Sequence, residues 1–174
     1  MISHVTDTDH TTGPRNARVV VVEYGDFQCP ICQSVEPAVK QLRAIHALDM
    51  TFVFRHFPLE EVHPFALMAA EAAEAAGAQG RFWDMHDLLL APGRQITRHH
   101  LEDYGRQIGL DMPRFNAELD DEVYRPRIRE HQESGRRGHL RATSGFFVNG
   151  VVCDISGGMK GLFDAVARMA AQAR

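Results

Sequence analysis

The 174-residue chain predicts an α/β fold with a central β-sheet flanked by helices. Three observations carry that expectation. A β-branched run, "VVVVEY" at 19–24, is followed by a helical pattern and then by an alternating, aromatic-rich segment, "MTFVFRHFPL" at 50–59; together they make a strand–helix–strand unit. The middle of the chain reads as helix. The end returns to strand in "GFFVNGVVCDI", where Asn149-Gly150 separates two apolar runs, a strong short signal for a tight hairpin.

Taken in order, residues 1–17 read as a polar N-terminal arm in which Gly13-Pro14 breaks any regular element. The run at 19–24 is too short for a helix and suits a strand buried on both faces. Pro30 is well placed in the first turn of a helix. From Ile31 to about Leu48, Val35, Val39, Leu42 and Ile45 recur at helical spacing, with Pro37 as a kink. The second strand ends at Pro58. A helical insertion covers about 63–138: an alanine-rich helix over 64–77, another over 80–91, a third capped by Thr97 and stopped by Gly109, a short one over 112–119 and a polar one over 122–138. After the hairpin, a last helix runs from about Gly161 to Ala173. Residues 18–174 are thus expected to form a single domain.

Hydrophobic residues at 44% and charged residues at 24% place the chain among ordinary globular proteins. A net charge of -4 gives no electrostatic reason to expect nucleic acid or an anionic membrane as partner. No stretch approaches the roughly 18 apolar residues of a membrane span. "MISHVTDTDHTTGPRNAR" has neither a basic nor an apolar leader region, so a cytoplasmic protein is expected, or an exported one if a leader has been removed.

Three cysteines, Cys29, Cys32 and Cys153, are too few for a disulfide scaffold. Cys29 and Cys32 stand three apart in "CPIC", where strand hands over to helix. Side chains at i and i+3 of a helical turn lie roughly 5–6 Å apart, within reach of a disulfide. The helix N-terminus, with its unpaired N–H groups and positive dipole end, favours a thiolate at Cys29. A lone CxxC also fits half of a metal site. Zinc takes four ligands, and no second CxxC or CxxH exists in the chain.

In "VVEYGDFQCPIC", "FVFRHFPL", "AAEAAGAQGRFWDMHDLL" and "TSGFFVNG", taken in this order over about residues 18–172, the chain resembles the DsbA-like branch of the thioredoxin fold. That resemblance implies a mixed sheet with a helical insertion and a thiol–disulfide oxidoreductase. Cys29 resembles the exposed nucleophile that forms the mixed disulfide, and Cys32 the buried partner that resolves it. Glu23, six residues before Cys29, matches the family's buried acid, a proton acceptor near the resolving sulfur; its plainer alternative is a strand-end carboxylate turned to water. Pro30 and Ile31 are the dipeptide that tunes the potential. With no histidine between the cysteines, the potential is expected between about −270 and −120 mV. The substrate-binding loop before the hairpin carries Thr143-Ser144 where the family has a cis-proline. The bond before Ser144 is then trans, or cis at a cost of about 2.5–4 kcal/mol. The implied partners are client protein or peptide thiols and disulfides, and a redox partner protein or glutathione. No cofactor and no metal are implied.

Other features have plainer readings. Cys153, just after the hairpin turn, is expected to be a buried core thiol. His63, His86, His99 and His100 are expected in surface or core roles rather than as metal ligands. Phe82 and Trp83 read as packing between insertion and fold. "GRRGHLR" at 135–141 is at most a docking patch, and "SGGMKG" at 156–161 a flexible turn. The rival functions are a zinc or iron–sulfur CxxC protein and a non-catalytic DsbA-like binding module.

Overall fold

The strands come from the segments whose side chains suit a pleated, buried surface. The structure, a computed structural model, describes residues 4–172. In chain order the elements are β1 (His10–Thr12), β2 (Val19–Gly25), α1 (Pro30–Ile45), β3 (Met50–His56), α2 (Ala66–Gly77), α3 (Phe82–Leu89), α4 (Arg98–Gln107), α5 (Met112–Asp120), α6 (Arg125–Arg137), β4 (Gly145–Val148), β5 (Val151–Cys153) and α7 (Lys160–Gln172). The expected helix end at Ala173 lies outside the described residues, as do the first three residues of the arm.

The chain is divided into two compact units of interleaved segments. The first takes the chain up to Gly25, Val35–Arg55 and everything from Glu133 onward. It holds a mixed five-stranded sheet in the order β1-β3-β2-β4-β5. β1 pairs antiparallel with β3, and β4 pairs antiparallel with both β2 and β5, with Glu23 opposite Phe146. α7 packs on β2 and β4. Val39, Leu42, Phe52, Phe54, Phe146, Leu162 and Val166 are fully buried and form the apolar interior that burial stabilises most.

Two details depart from the sequence expectation. The arm contains a strand: Thr11 and Thr12 are β-branched and pair with Val53 and Phe52. The break comes only after it, at Gly13, where φ is +81° and a Cβ would lie 2.0 Å from the Met50 carbonyl oxygen. The arm is also anchored, because the buried Arg55 guanidinium donates to both carboxylate oxygens of the buried Asp9, at 2.9 and 2.8 Å. Second, α1 stops at Ile45 rather than Leu48. Leu48 is 91% exposed, so no packing draws the helix onward, and Asp49 N–H closes a turn on the His46 carbonyl instead.

The second unit takes Asp26–Ser34 and His56–Gln132. α2 is its centre, packing against α3, α4 and α5. Ala69, Ala72, Ala73, Ala75 and Ala76 are all buried; side chains this small allow close helix approach. Met85, Leu89, Leu101 and Phe115 fill the interior. Thr97 caps α4 by accepting from His100 N–H, as its place in the sequence predicts, and Asp111 caps α5 in the same way. The buried Glu74 carboxylate is met by His56 Nε2 at 2.8 Å and by an Arg127 guanidinium nitrogen at 3.2 Å.

Candidate active site

The cysteine pair belongs to the second unit. Four residues, Asp26 to Cys29, separate β2 from α1, and their conformation is set by side chains that compete for backbone groups. Asp26 Oδ1 accepts from Gln28 N–H at 2.8 Å, a local turn of the kind aspartate favours. The Asp26 carbonyl accepts from Cys29 N–H, and the Cys29 carbonyl begins the helix by accepting from Gln33 N–H at 3.2 Å. Cys29 therefore stands immediately before the first helical residue, Pro30, and Cys32 lies in the first turn. The Asp26 backbone N–H donates to Cys32 Sγ at 3.5 Å, which favours negative charge on that sulfur.

Asp26 is itself held from outside the turn. Its Oδ2 accepts from Leu59 N–H at 2.9 Å and from His63 Nδ1 at 2.7 Å. A carboxylate only accepts, so Nδ1 carries the hydrogen. Gln28 Oε1 accepts from Phe65 N–H at 2.8 Å. The turn that presents the cysteines is thus tied to residues 59–65 at three points. Sequence reasoning missed this tie. Asp26, three residues ahead of Cys29, was a legible turn-former, but its partner lies 37 positions away and no spacing rule reaches it. His63, expected in a bland role, is the ring that closes the cluster.

Both cysteines are buried, Cys29 at 5% and Cys32 at 1% relative exposure. This corrects the expectation of an exposed Cys29. The Asp26–Cys29 turn tucks its side chain in, and the surface residues of the motif are Pro30 and Ile31, the latter 54% exposed.

Glu23, Thr143 and Ser144 belong to the first unit. Glu23 is completely buried, so the reading of a carboxylate turned to water is wrong: β2 is covered on both faces from Val21 to Gly25. Ser144 Oγ donates to Glu23 Oε1 at 3.1 Å. Glu23 Oε2 has no hydrogen-bond partner among the described residues. Burial, with the nearby Glu36 carboxyl adding to it, pushes the Glu23 carboxyl up to about 8; the Ser144 hydrogen bond and Arg43 pull the other way. The Thr143–Ser144 peptide bond is cis. The sequence expectation named Glu23 and Ser144 for separate roles; their direct contact was not foreseen.

Cys153 is a free thiol on β5, half-buried rather than buried as expected. β5 is a three-residue edge strand whose Val151 and Val152 are exposed, so the sheet covers one side of it only. Burial and the neighbouring Asp154 charge push the Cys153 thiol up.

A five-stranded sheet with a helical block between β3 and β4, and a CxxC at the start of α1, define a DsbA-like thioredoxin fold. A family model described as Thioredoxin matches residues 5–166, and the chain belongs to that family. Among solved structures it is similar to oxidised BdbD from Bacillus subtilis, with a TM-score of 0.82 at 21% identity over 92% of each chain. It is also similar to a thioredoxin-like oxidoreductase from Silicibacter pomeroyi, with a TM-score of 0.80 at 22% identity over 97% of this chain and 95% of that one. At such identities the likeness is one of fold. A curated relative named Na(+)/H(+) antiporter NhaA 1, from Salinispora arenicola, is 48% identical over 144 residues, covering 83% of this chain but 22% of that protein. The chain thus spans about a fifth of the length of the curated relatives it matches. Among the described residues, no helix is long and apolar enough to cross a membrane.

Proposed function

We propose that the protein is a thiol–disulfide oxidoreductase acting on protein or peptide thiols, with Cys29 and Cys32 as the redox pair. The observation that carries this reading is the placement of the pair: Cys29 immediately before α1, Cys32 in its first turn, and a backbone N–H directed at Cys32 Sγ. In the oxidising direction a substrate thiolate attacks Cys29 Sγ of the Cys29–Cys32 disulfide. The S–S bond breaks, its electron pair leaves on Cys32, and a mixed disulfide with Cys29 forms. A second substrate thiolate then attacks the substrate sulfur of that mixed disulfide and releases Cys29 as a thiolate. Two electrons pass from the substrate dithiol to the cysteine pair, and the reverse order reduces a substrate disulfide.

Further roles follow from the family resemblance. Glu23 exchanges the proton of the resolving thiol, and its total burial supports this, since a carboxyl kept from water titrates near neutrality. The loop at Thr143-Ser144 offers backbone groups to an extended substrate, and Pro30-Ile31 tunes the potential. The electron-exchanging partner is a redox protein or glutathione. The antiporter name belongs to relatives of which the matched 144 residues make up 22%, in which a domain like this one is joined to a long remainder.

The test is single-turnover oxidation of a dithiol peptide by the oxidised protein. The wild type is expected to convert one equivalent. Cys29→Ser is expected to convert none. Cys32→Ser, preloaded as a Cys29 mixed disulfide with the peptide, is expected to hold it long enough for mass mapping. A wild type that leaves the peptide reduced, or that purifies with stoichiometric zinc or iron on its cysteines, overturns the reading.

A further inference from the structure

A buried carboxyl that exchanges a proton needs a defined site for it, because its two oxygens are otherwise equivalent. Glu23 is not held symmetrically. Oε1 accepts from the Ser144 hydroxyl at 3.1 Å, while Oε2, equally out of reach of water, has no hydrogen-bond partner among the described residues. The oxygen that accepts a hydrogen bond is satisfied as it stands; the bare one gains most from a proton.

Resting on the reading of Glu23 as the proton-exchanging acid, we propose that Ser144 is a positioning residue for that carboxyl: its hydroxyl fixes Oε1 and leaves Oε2 to carry the exchangeable proton. Proline, which the DsbA-like family carries at this position, has no side-chain donor and could not do this. The step is a plain proton transfer, in which the Cys32 thiol and the Glu23 carboxylate become thiolate and carboxylic acid, or the reverse, with no electrons moved.

The groups around Glu23 leave this role to Ser144. α1 supplies Glu36, whose negative charge disfavours the carboxylate, and Arg43, which favours it; neither is a hydrogen-bond partner of Glu23 in the structure. β4 sets Phe146 opposite. From β3, Arg55 is engaged by Asp9 and by the Tyr24 hydroxyl, and Tyr24 projects to the other face of β2. From α7, which also packs on β2, Leu162 and Val166 are buried while Lys160 and Asp164 pair with each other at the surface. Thr143 is buried in the same loop. The hydrogen bond from Ser144 favours the charged carboxylate and so opposes the effect of burial.

The experiment is a pH titration of the Glu23 carboxyl carbon by NMR, assigned with Glu23→Gln, in the wild type, Ser144→Ala, Ser144→Thr and the distant control Lys160→Ala. Loss of a hydrogen bond to the charged form is expected to raise the midpoint in Ser144→Ala by about one pH unit. Ser144→Thr, which keeps the hydroxyl, is expected to restore it, and Lys160→Ala to leave it in place. Single-turnover oxidation of the dithiol peptide, measured over the same pH range, is expected to show a midpoint that moves with the NMR one. Should Ser144→Ala fold poorly, Ser144→Cys, with a weaker donor of similar size, is expected to raise the midpoint by a smaller amount. A Glu23 midpoint that is the same in wild type and Ser144→Ala overturns the proposal even if the protein oxidises the peptide. A midpoint that moves in a protein unable to oxidise the peptide upholds Ser144 as the anchor of Glu23 and overturns the oxidoreductase reading instead.

Discussion

A carboxyl group with no water and one hydroxyl for company is an unstable thing to ionise, and Glu23 makes the stability of the protein depend on pH. Below its ordinary value of 4.5 the carboxyl is protonated folded or unfolded. Between 4.5 and about 8 the unfolded chain releases the proton while the folded one keeps it, so this term falls as pH rises through that window and levels off above it. Its full size is up to about 5 kcal/mol. Glu23→Gln keeps the shape and removes the titration. Urea unfolding is expected to show similar midpoints for the two proteins at pH 4, and a more stable variant at pH 9; an equal loss of stability in both between those limits counts against a raised carboxyl. The residues singled out in the two units were unevenly legible. Cys29, Cys32 and Glu23 stand close together in the sequence and could be named from it. Ser144 was visible only as a missing proline, because its hydroxyl matters through a residue 121 positions away. Asp26 and His63 escaped for the same reason.

The hairpin is the element most fully written in the sequence. Asn149 and Gly150 both take positive φ, +48° and +80°, as a two-residue turn between twisted strands requires. Asn149 adds more than its backbone: its Oδ1 accepts from Val20 N–H at 2.8 Å, and its Nδ2 donates to the Arg18 carbonyl at 3.1 Å, which ties the turn to the start of β2. Asn149→Gly removes those bonds and keeps the turn; Asn149→Ala also strains it. The expected losses are about 1–2 kcal/mol for glycine and roughly 1 kcal/mol more for alanine, read from denaturant midpoints, and a glycine variant worse than the alanine one contradicts the assignment. β1, by contrast, was read as part of a broken arm. Three residues carry no periodicity, and their pairing with β3 is decided by partners about forty positions downstream. Helices α2 to α5 lie between these cases: their order and the Thr97 cap of α4 were legible, the Asp111 cap and the helix ends less so, since a helix stops where packing stops.

At the scale of the molecule, the sequence supports one order of elements, and the sheet follows it, but the ties across the sheet are tertiary. The Arg55–Asp9 pair is the clearest of them. Both groups are buried, and Arg55 also donates to the Tyr24 hydroxyl and to the His4 carbonyl. Removing one partner of such a pair strands the other, at a cost of about 3–5 kcal/mol. Asp9→Ala is therefore expected to lower the stability of the whole protein by that amount, while Asp7→Ala, whose surface pair with Arg15 is exposed, is expected to cost under about 1 kcal/mol. Equal effects from the two variants in denaturant unfolding rule the tie out.

The long interval between β2 and β4 has a consequence for how the chain acquires its charge state. The helices between them make their contacts over short stretches of chain, and such contacts form early. The Ser144 contact that completes the surroundings of Glu23 closes a loop of 121 positions, and long loops close late. Until then the carboxyl is in water and ionised at neutral pH. Completing the sheet therefore draws a proton out of solution, close to one per molecule at about pH 6. The heat of refolding would carry that signature: it would change with the ionisation enthalpy of the buffer in the wild type, and the contribution of this one proton would vanish in Glu23→Gln.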